Sequence, residues 1–191
     1  MRTVLVTGGI GSGKTLVNGF LAARGIPVYD ADSRTKALYG GPLLARVEAA
    51  FHQSFSEEDG HVDFAALGRA AFASAESLAL LESIVHPAVL ADFTDWKAAQ
   101  AGAPFLVLES AIALEKPLFD GLYDTVVLVY ASVDERFARI RRRNPGLSDD
   151  DIRCRIAAQQ FDFSRADYLL INDSTPEALR SQADSFYTAM C

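Results

Sequence analysis

Eight residues near the start of the chain, Gly8-Gly9-Ile10-Gly11-Ser12-Gly13-Lys14-Thr15, constrain its fold more than any other feature of the sequence. They satisfy G-x-x-x-x-G-K-[ST], with an apolar run at 3–7 before them and a predicted helix at 14–23 after them. A strand, a glycine-rich turn and a helix in that order can wrap a phosphate in backbone N–H groups, in conformations that a side chain would block. The helix N-terminus adds partial positive charge beneath the anion. Lys14 would then reach the β and γ phosphates of a nucleotide, and the Thr15 hydroxyl would ligate Mg²⁺.

The rest of the chain alternates strands and helices, which is the signature of a parallel sheet covered on both faces. Five strands are predicted, at 3–7, 27–30, 105–109, 125–130 and 168–171, all short apolar runs with little alternation. Helix starts are marked in the second half. Ser132 with Glu135 and Ser148 with Asp151 form capping boxes on either side of an Asn144-Pro145-Gly146 turn, and Thr175-Pro176 opens the last helix. Residues 31–103 read as helices broken at Gly40-Gly41-Pro42, at an acidic loop at 56–60 and at His86-Pro87. A crossover between parallel strands needs only about a dozen residues. The excess, 40–103, is a helical insertion suited to gripping a second substrate. The expected layout is one P-loop domain over 1–191, with that insertion and an arginine-rich lid at 136–161.

Charge narrows the partners. The formal net charge of -7 argues against long nucleic acids, because each phosphate contact needs a cation. Seven of the 18 Lys and Arg nevertheless fall between Arg136 and Arg155, a local cluster that suits a compact polyphosphate. Cys154 and Cys191 read as free thiols, and His52, His61 and His86 are too scattered for a zinc motif. The sequence has neither a signal peptide at its start nor an uninterrupted apolar run of about 18 residues. The expectation is a soluble cytoplasmic protein without nucleic-acid, membrane or obligate protein partners.

Further candidates surround the loop. Asp30-Ala31-Asp32 ends the second strand, at the carboxyl edge where open α/β sheets hold ligands. Residues two apart on an extended chain share a side, so both carboxylates are expected to face the phosphates, one holding Mg²⁺ through water and the other taking a hydroxyl proton. The alternative is that Asp32 caps a helix at 33–38. Arg136, Arg139 and Arg143 lie at i, i+3 and i+7, with Arg139 and Arg143 expected to close over the nucleotide, and Arg155 and Gln159 to face it. Glu109 ends a strand in a Walker-B-like place, or caps a helix. The absence of N-K-x-D and D-x-x-G removes the defining parts of a regulatory GTPase.

In this order the pieces resemble the dephospho-CoA kinase family over essentially the whole chain. Thr7-Gly8-Gly9-Ile10-Gly11-Ser12-Gly13-Lys14 is similar to the family's T-G-G-I-G-S-G-K, and Val28-Tyr29-Asp30-Ala31-Asp32 to its V-x-D-A-D. His86-Pro87, Arg139 and Arg143, Arg155-Ile156-Ala157-Ala158-Gln159, and Ala166-Asp167-Tyr168 with Asn172 resemble further family motifs. Ala111 and Phe64 depart from the pattern, and the segment 159–166 is shortened, which argues against a basic contact there from Arg165. The resemblance implies phosphoryl transfer from ATP, with Mg²⁺, to the 3'-hydroxyl of dephospho-CoA. In that reading Asp32, Lys14 and Arg139 are catalytic, and Gly9, Gly11, Ser12, Gly13, Lys14, Thr15, Leu16, Arg143 and Asn172 bind nucleotide. Asp30, Asp32 and His86 bind the acceptor, and Thr15 holds the metal. The alternative is a P-loop kinase of a nucleoside monophosphate or another small alcohol.

Overall fold

The computed structural model describes residues 1–57, 59–159 and 162–191. They form five strands, β1 Arg2–Thr7, β2 Val28–Asp30, β3 Phe105–Glu109, β4 Thr125–Tyr130 and β5 Tyr168–Ile171, in one sheet of order β2-β3-β1-β4-β5. β1 pairs in parallel with β3 on one side (Val4 against Val107) and with β4 on the other (Leu5 against Val126). The chain therefore leaves β1 at the point where strand order turns in both directions, and the carboxyl end of such a strand is where open α/β sheets bind ligands. All five predicted strands are present, the first and second with ends shifted by one residue.

The chain divides into two compact units, residues 1–29 with 100–191, and residues 30–99. In the first, α1 Lys14–Ala22 and α8 Pro176–Met190 lay Val17, Leu21, Leu179, Ala183 and Phe186 against Val4, Val6, Val107, Val127 and Val129 of the strands. Leu5, Leu106 and Leu128, on the alternate positions, are buried too. With both strand faces in the core there is no polar side to alternate with, which is why the strand sequences are continuous apolar runs. Each such side chain contributes about 1.5–3 kcal/mol of transfer free energy. The same unit carries α6 Val133–Arg143 and α7 Asp149–Ala157, around the Asn144-Pro145-Gly146 turn. Ser132, Ser148 and Thr175 cap α6, α7 and α8, as their sequence signals predict. At α6 the second half of the box differs: the Ser132 N–H goes to Asp173, leaving Glu135 to pair with Arg139.

The second unit holds α2 Ala31–Leu38, α3 Pro42–Phe51, α4 Phe64–Ala71 and α5 Ala75–Ala98. The break at Gly40-Gly41-Pro42 is present, with Pro42 opening α3. The break at His86-Pro87 is not, because α5 runs through Pro87 for 24 residues. A proline inside a helix costs about 3 kcal/mol through its missing N–H and its clash with the preceding turn. Here Val85, Val89 and Phe93, four apart and buried, hold both halves of α5 in the packing with α2, α3 and α4. By length and apolarity alone α5 is the one helix among the described residues that could cross a bilayer. It carries Asp92 paired with Arg34 and packs within a helical unit.

Candidate active site

The loop 8–15 leaves β1 and enters α1 with Gly8, Gly11 and Gly13 at positive φ. Gly13, at φ 104°, is the N-cap of α1, and a Cβ there would overlap the Asn172 amide. A Cβ on Gly8 would overlap the Val129 carbonyl of β4. Glycine is required at both for conformation and for space. α1 starts with no capping side chain and no acid in its first turn, so its positive end is not satisfied by its own chain. The N–H groups of Gly11 and Gly13 have no hydrogen-bond partner among the described residues. These donors, with Lys14 and an uncapped helix end, fit a polyphosphate, and the exposed Thr15 hydroxyl is an oxygen of the kind its Mg²⁺ takes. Lys14 Nζ lies along the loop, donating to the Gly8 and Gly9 carbonyls at 2.8 and 3.4 Å. Thr15 and Leu16 are exposed on the first turn of α1.

The carbonyl side of the loop is held from elsewhere in the same unit. Arg136 Nε donates to the Ile10 carbonyl at 2.9 Å, and its Nη2 donates to Gln159 Oε1 at 2.9 Å. Gln159 Oε1 also accepts from the Ile10 N–H at 2.7 Å. Arg139 reaches the Gly11 carbonyl at 3.4 Å and the Asn172 carbonyl at 2.8 Å, while Asn172 Nδ2 donates to the Ser12 carbonyl at 2.7 Å. Arg136 is only 3% exposed, and burial pulls its guanidinium below the ordinary value, with the Tyr130 phenol opposing. Beside it lies a cavity of about 370 Å³ whose wall includes Tyr130, Val133, Arg136, Ile156 and Gln159.

The three arginines predicted to share a face thus divide. Arg136 and Arg139 bind loop carbonyls, whereas Arg143 is exposed without a partner among the described residues, as are Arg142 and Arg155. Arg141 pairs with Asp149 on the exposed side. Gln159, past the end of α7, contacts the loop backbone. Arg165 donates to the Leu114 carbonyl and lies 3.9 Å from Asp120, so it ties the turn before β5 to the segment after β3. Of the predicted lid, Gln160 and Phe161 lie outside the described residues.

The two aspartates after Tyr29 are not on one extended segment. Asp30 ends β2 and caps α2, its carboxylate accepting from the Ser33 N–H at 3.0 Å and from Ser33 Oγ at 2.7 Å. Those two bonds start the helix at Ala31, so the period-two argument stops applying before Asp32. The capping alternative for Asp32 fails for the same reason: the cap is Asp30. Asp32 sits in the first turn of α2, exposed, with no hydrogen bond or ion pair to its carboxylate among the described residues. His86 is half-buried on α5.

The sequence reading missed Asn18. One turn beyond Lys14 on α1, it is buried and donates through Nδ2 to the Glu109 carboxylate at the end of β3. That contact gives the strand-end acid a fixed neighbour on the helix that follows the loop. The available signal was a lone amide among the apolar positions of α1, between Val17 and Leu21.

A family model for dephospho-CoA kinase matches residues 2–177. The chain belongs to the dephospho-CoA kinase family. It is 37% identical over 190 residues to the dephospho-CoA kinase of Corynebacterium glutamicum, covering 96% of this chain and 94% of the relative. To that of Anaeromyxobacter dehalogenans it is 38% identical over 192 residues, covering 96% and 90%. A solved structure from Thermus thermophilus superposes with a TM-score of 0.84 at 29% identity, covering 100% of this chain and 98% of that one. Shikimate kinase from Bacteroides thetaiotaomicron shares the fold at 17% identity, with a TM-score of 0.54, covering 99% and 98%. Members of the family are kinases, and this chain is one of them.

Proposed function

We propose that this chain transfers the γ-phosphoryl group of ATP to the 3'-hydroxyl of dephospho-CoA, releasing coenzyme A and ADP, as a small-molecule enzyme of the cytoplasm. The observation that carries the proposal is the loop itself, with the Gly11 and Gly13 N–H groups unengaged at an uncapped helix end in a chain of this family. Mg²⁺, held by the Thr15 hydroxyl and phosphate oxygens, would neutralise charge on the β and γ phosphates.

The chain's own residues do the rest. Gly9, Gly11, Ser12, Gly13, Lys14, Thr15 and Leu16 hold the phosphates, Lys14 exchanging loop carbonyls for phosphate oxygens. Arg139 stabilises charge on the transferred group, while Arg143 and Asn172 serve the nucleotide. The free carboxylate of Asp32 accepts the proton of the attacking hydroxyl, a role that a phosphate acceptor would not need. Asp30 shapes the start of α2 and so sets where Asp32 stands. His86 and the helical insertion at 40–103 bind the acceptor, and the lid at 136–161 excludes the water that would otherwise hydrolyse ATP.

Purified protein with Mg-ATP should convert dephospho-CoA to coenzyme A, with ADP released in equal amount and no reaction when Mg²⁺ is chelated. Turnover of AMP, CMP or GMP with none of dephospho-CoA would replace this reading by that of a nucleoside monophosphate kinase.

A further inference from the structure

Three successive loop carbonyls, those of Ile10, Gly11 and Ser12, accept hydrogen bonds from Arg136, Arg139 and Asn172. A trans peptide is planar, so its C=O and the following N–H point in opposite directions. Fixing the Ile10 carbonyl therefore aims the Gly11 N–H, and fixing the Ser12 carbonyl aims the Gly13 N–H. Neither of those N–H groups has a hydrogen-bond partner among the described residues. The intervening Ser12 N–H bonds to the Gly9 carbonyl at 3.1 Å and needs no such aiming.

We propose that Arg136 and Gln159 are positioning residues that latch the loop from behind at Ile10, so that its anion-facing N–H groups are oriented before nucleotide arrives. The latch is a closed ring. The Ile10 N–H and Arg136 Nη2 both donate to Gln159 Oε1, and Arg136 Nε returns to the Ile10 carbonyl. Both polar groups of one residue are thereby held, by a guanidinium buried to 3% exposure and an amide that follows α7. Preorganised donors avoid the cost of reorienting dipoles when charge arrives, so a slack loop binds phosphate less tightly. The ring joins α6 and the end of α7 to the loop through side chains, giving Arg136 and Gln159 a task separate from any direct contact with nucleotide. It rests on the reading of the loop as a nucleotide site.

The test uses the full-length protein and three variants, Gln159→Leu, Gln159→Glu and Arg136→Met. Amide exchange without nucleotide should show Ile10 protected in the wild type and in Gln159→Glu, which keeps the accepting oxygen beside Arg136. It should show Ile10 deprotected in Gln159→Leu, with β1 unchanged. ADP should bind Gln159→Leu about tenfold more weakly, the effect of losing one hydrogen bond to a charged network, with thermal stability close to wild type. Arg136→Met should weaken ADP similarly. Wild-type protection of Ile10 and wild-type ADP affinity in Gln159→Leu would overturn the latch, as would equal deprotection in Gln159→Glu and Gln159→Leu. A wild-type protein that binds no ADP would instead remove the nucleotide reading, leaving the exchange data to judge the latch alone.

Discussion

Asp32 carries the chemical step in this reading, and its surroundings make the assignment testable. Because Asp30 supplies the cap of α2, an effect of changing Asp32 cannot be passed off as a lost cap. Asp32→Asn keeps size and an accepting oxygen but cannot take up a proton at neutral pH. kcat should fall by about two to four orders of magnitude while the thermal midpoint and ADP affinity hold. Asp30→Asn, an equally good cap, should leave stability near wild type and lower kcat less. An active Asp32→Asn beside an inactive Asp30→Asn would exchange the roles. The arginines of α6 divide in the same way. Arg139 bonds the Gly11 and Asn172 carbonyls, whereas Arg141 meets Asp149 on the exposed side. Arg139→Ala should lower kcat by about a hundredfold or more, as expected for a lost transition-state donor. Arg141→Ala should leave steady-state rates close to wild type, and equal losses in the two would refute the distinction.

At the level of elements, the loop after α3 is organised by one carboxylate. Glu48 Oε1 accepts from the Phe55 N–H at 2.7 Å and from the Ser54 and Ser56 hydroxyls at 2.9 Å each. The Phe55 N–H first, then the two hydroxyls, holds the Glu48 carboxyl below its ordinary value of 4.5. A carboxyl depressed in the folded state stabilises above its unfolded value, and that contribution is lost as pH falls through the folded one. Glu48→Gln should therefore melt below wild type at pH 7, with the gap closing as pH drops below 4.5. A pH-independent gap in thermal midpoints would sink the linkage. The sheet elements were legible because a doubly buried strand is a short apolar run whatever its partners, and the caps because Ser and Thr bond three residues onward within the sequence itself. The insertion was less so. Pro87 reads as a stop locally, and only the burial of Val85, Val89 and Phe93 on one face shows why α5 continues. Asp30 and Asp32 were found as a pair, but their geometry depended on where β2 ends, which a bond to Ser33 decides. The loop was fully visible in sequence. Its latch was not, since Ile10, Arg136 and Gln159 are brought together by the fold over separations of 126 and 149 residues.

For the whole molecule, the nucleotide binding proposed for the loop would draw on the same unit as the sheet core. The loop, α1, α6, α7 and Asn172 belong to residues 1–29 and 100–191, whose core is the sheet with α1 and α8. A ligand that binds only the folded state stabilises it by RT ln(1 + [L]/Kd), about 2.7 kcal/mol at a concentration one hundred times Kd. For a chain of this length each kcal/mol moves the midpoint by about 2–4 °C, so saturating ADP should raise the melting transition by about 5–11 °C. The rise should grow with the logarithm of ADP concentration. Lys14→Ala, which removes the cation now resting on the Gly8 and Gly9 carbonyls, should melt near the unliganded wild type and show little of the ADP shift. Differential scanning calorimetry on the two proteins, with and without ADP, decides the matter. A full shift in Lys14→Ala would mean that the phosphates are held somewhere other than the loop. A wild-type transition insensitive to ADP would mean that the unit containing the loop does not bind nucleotide at all.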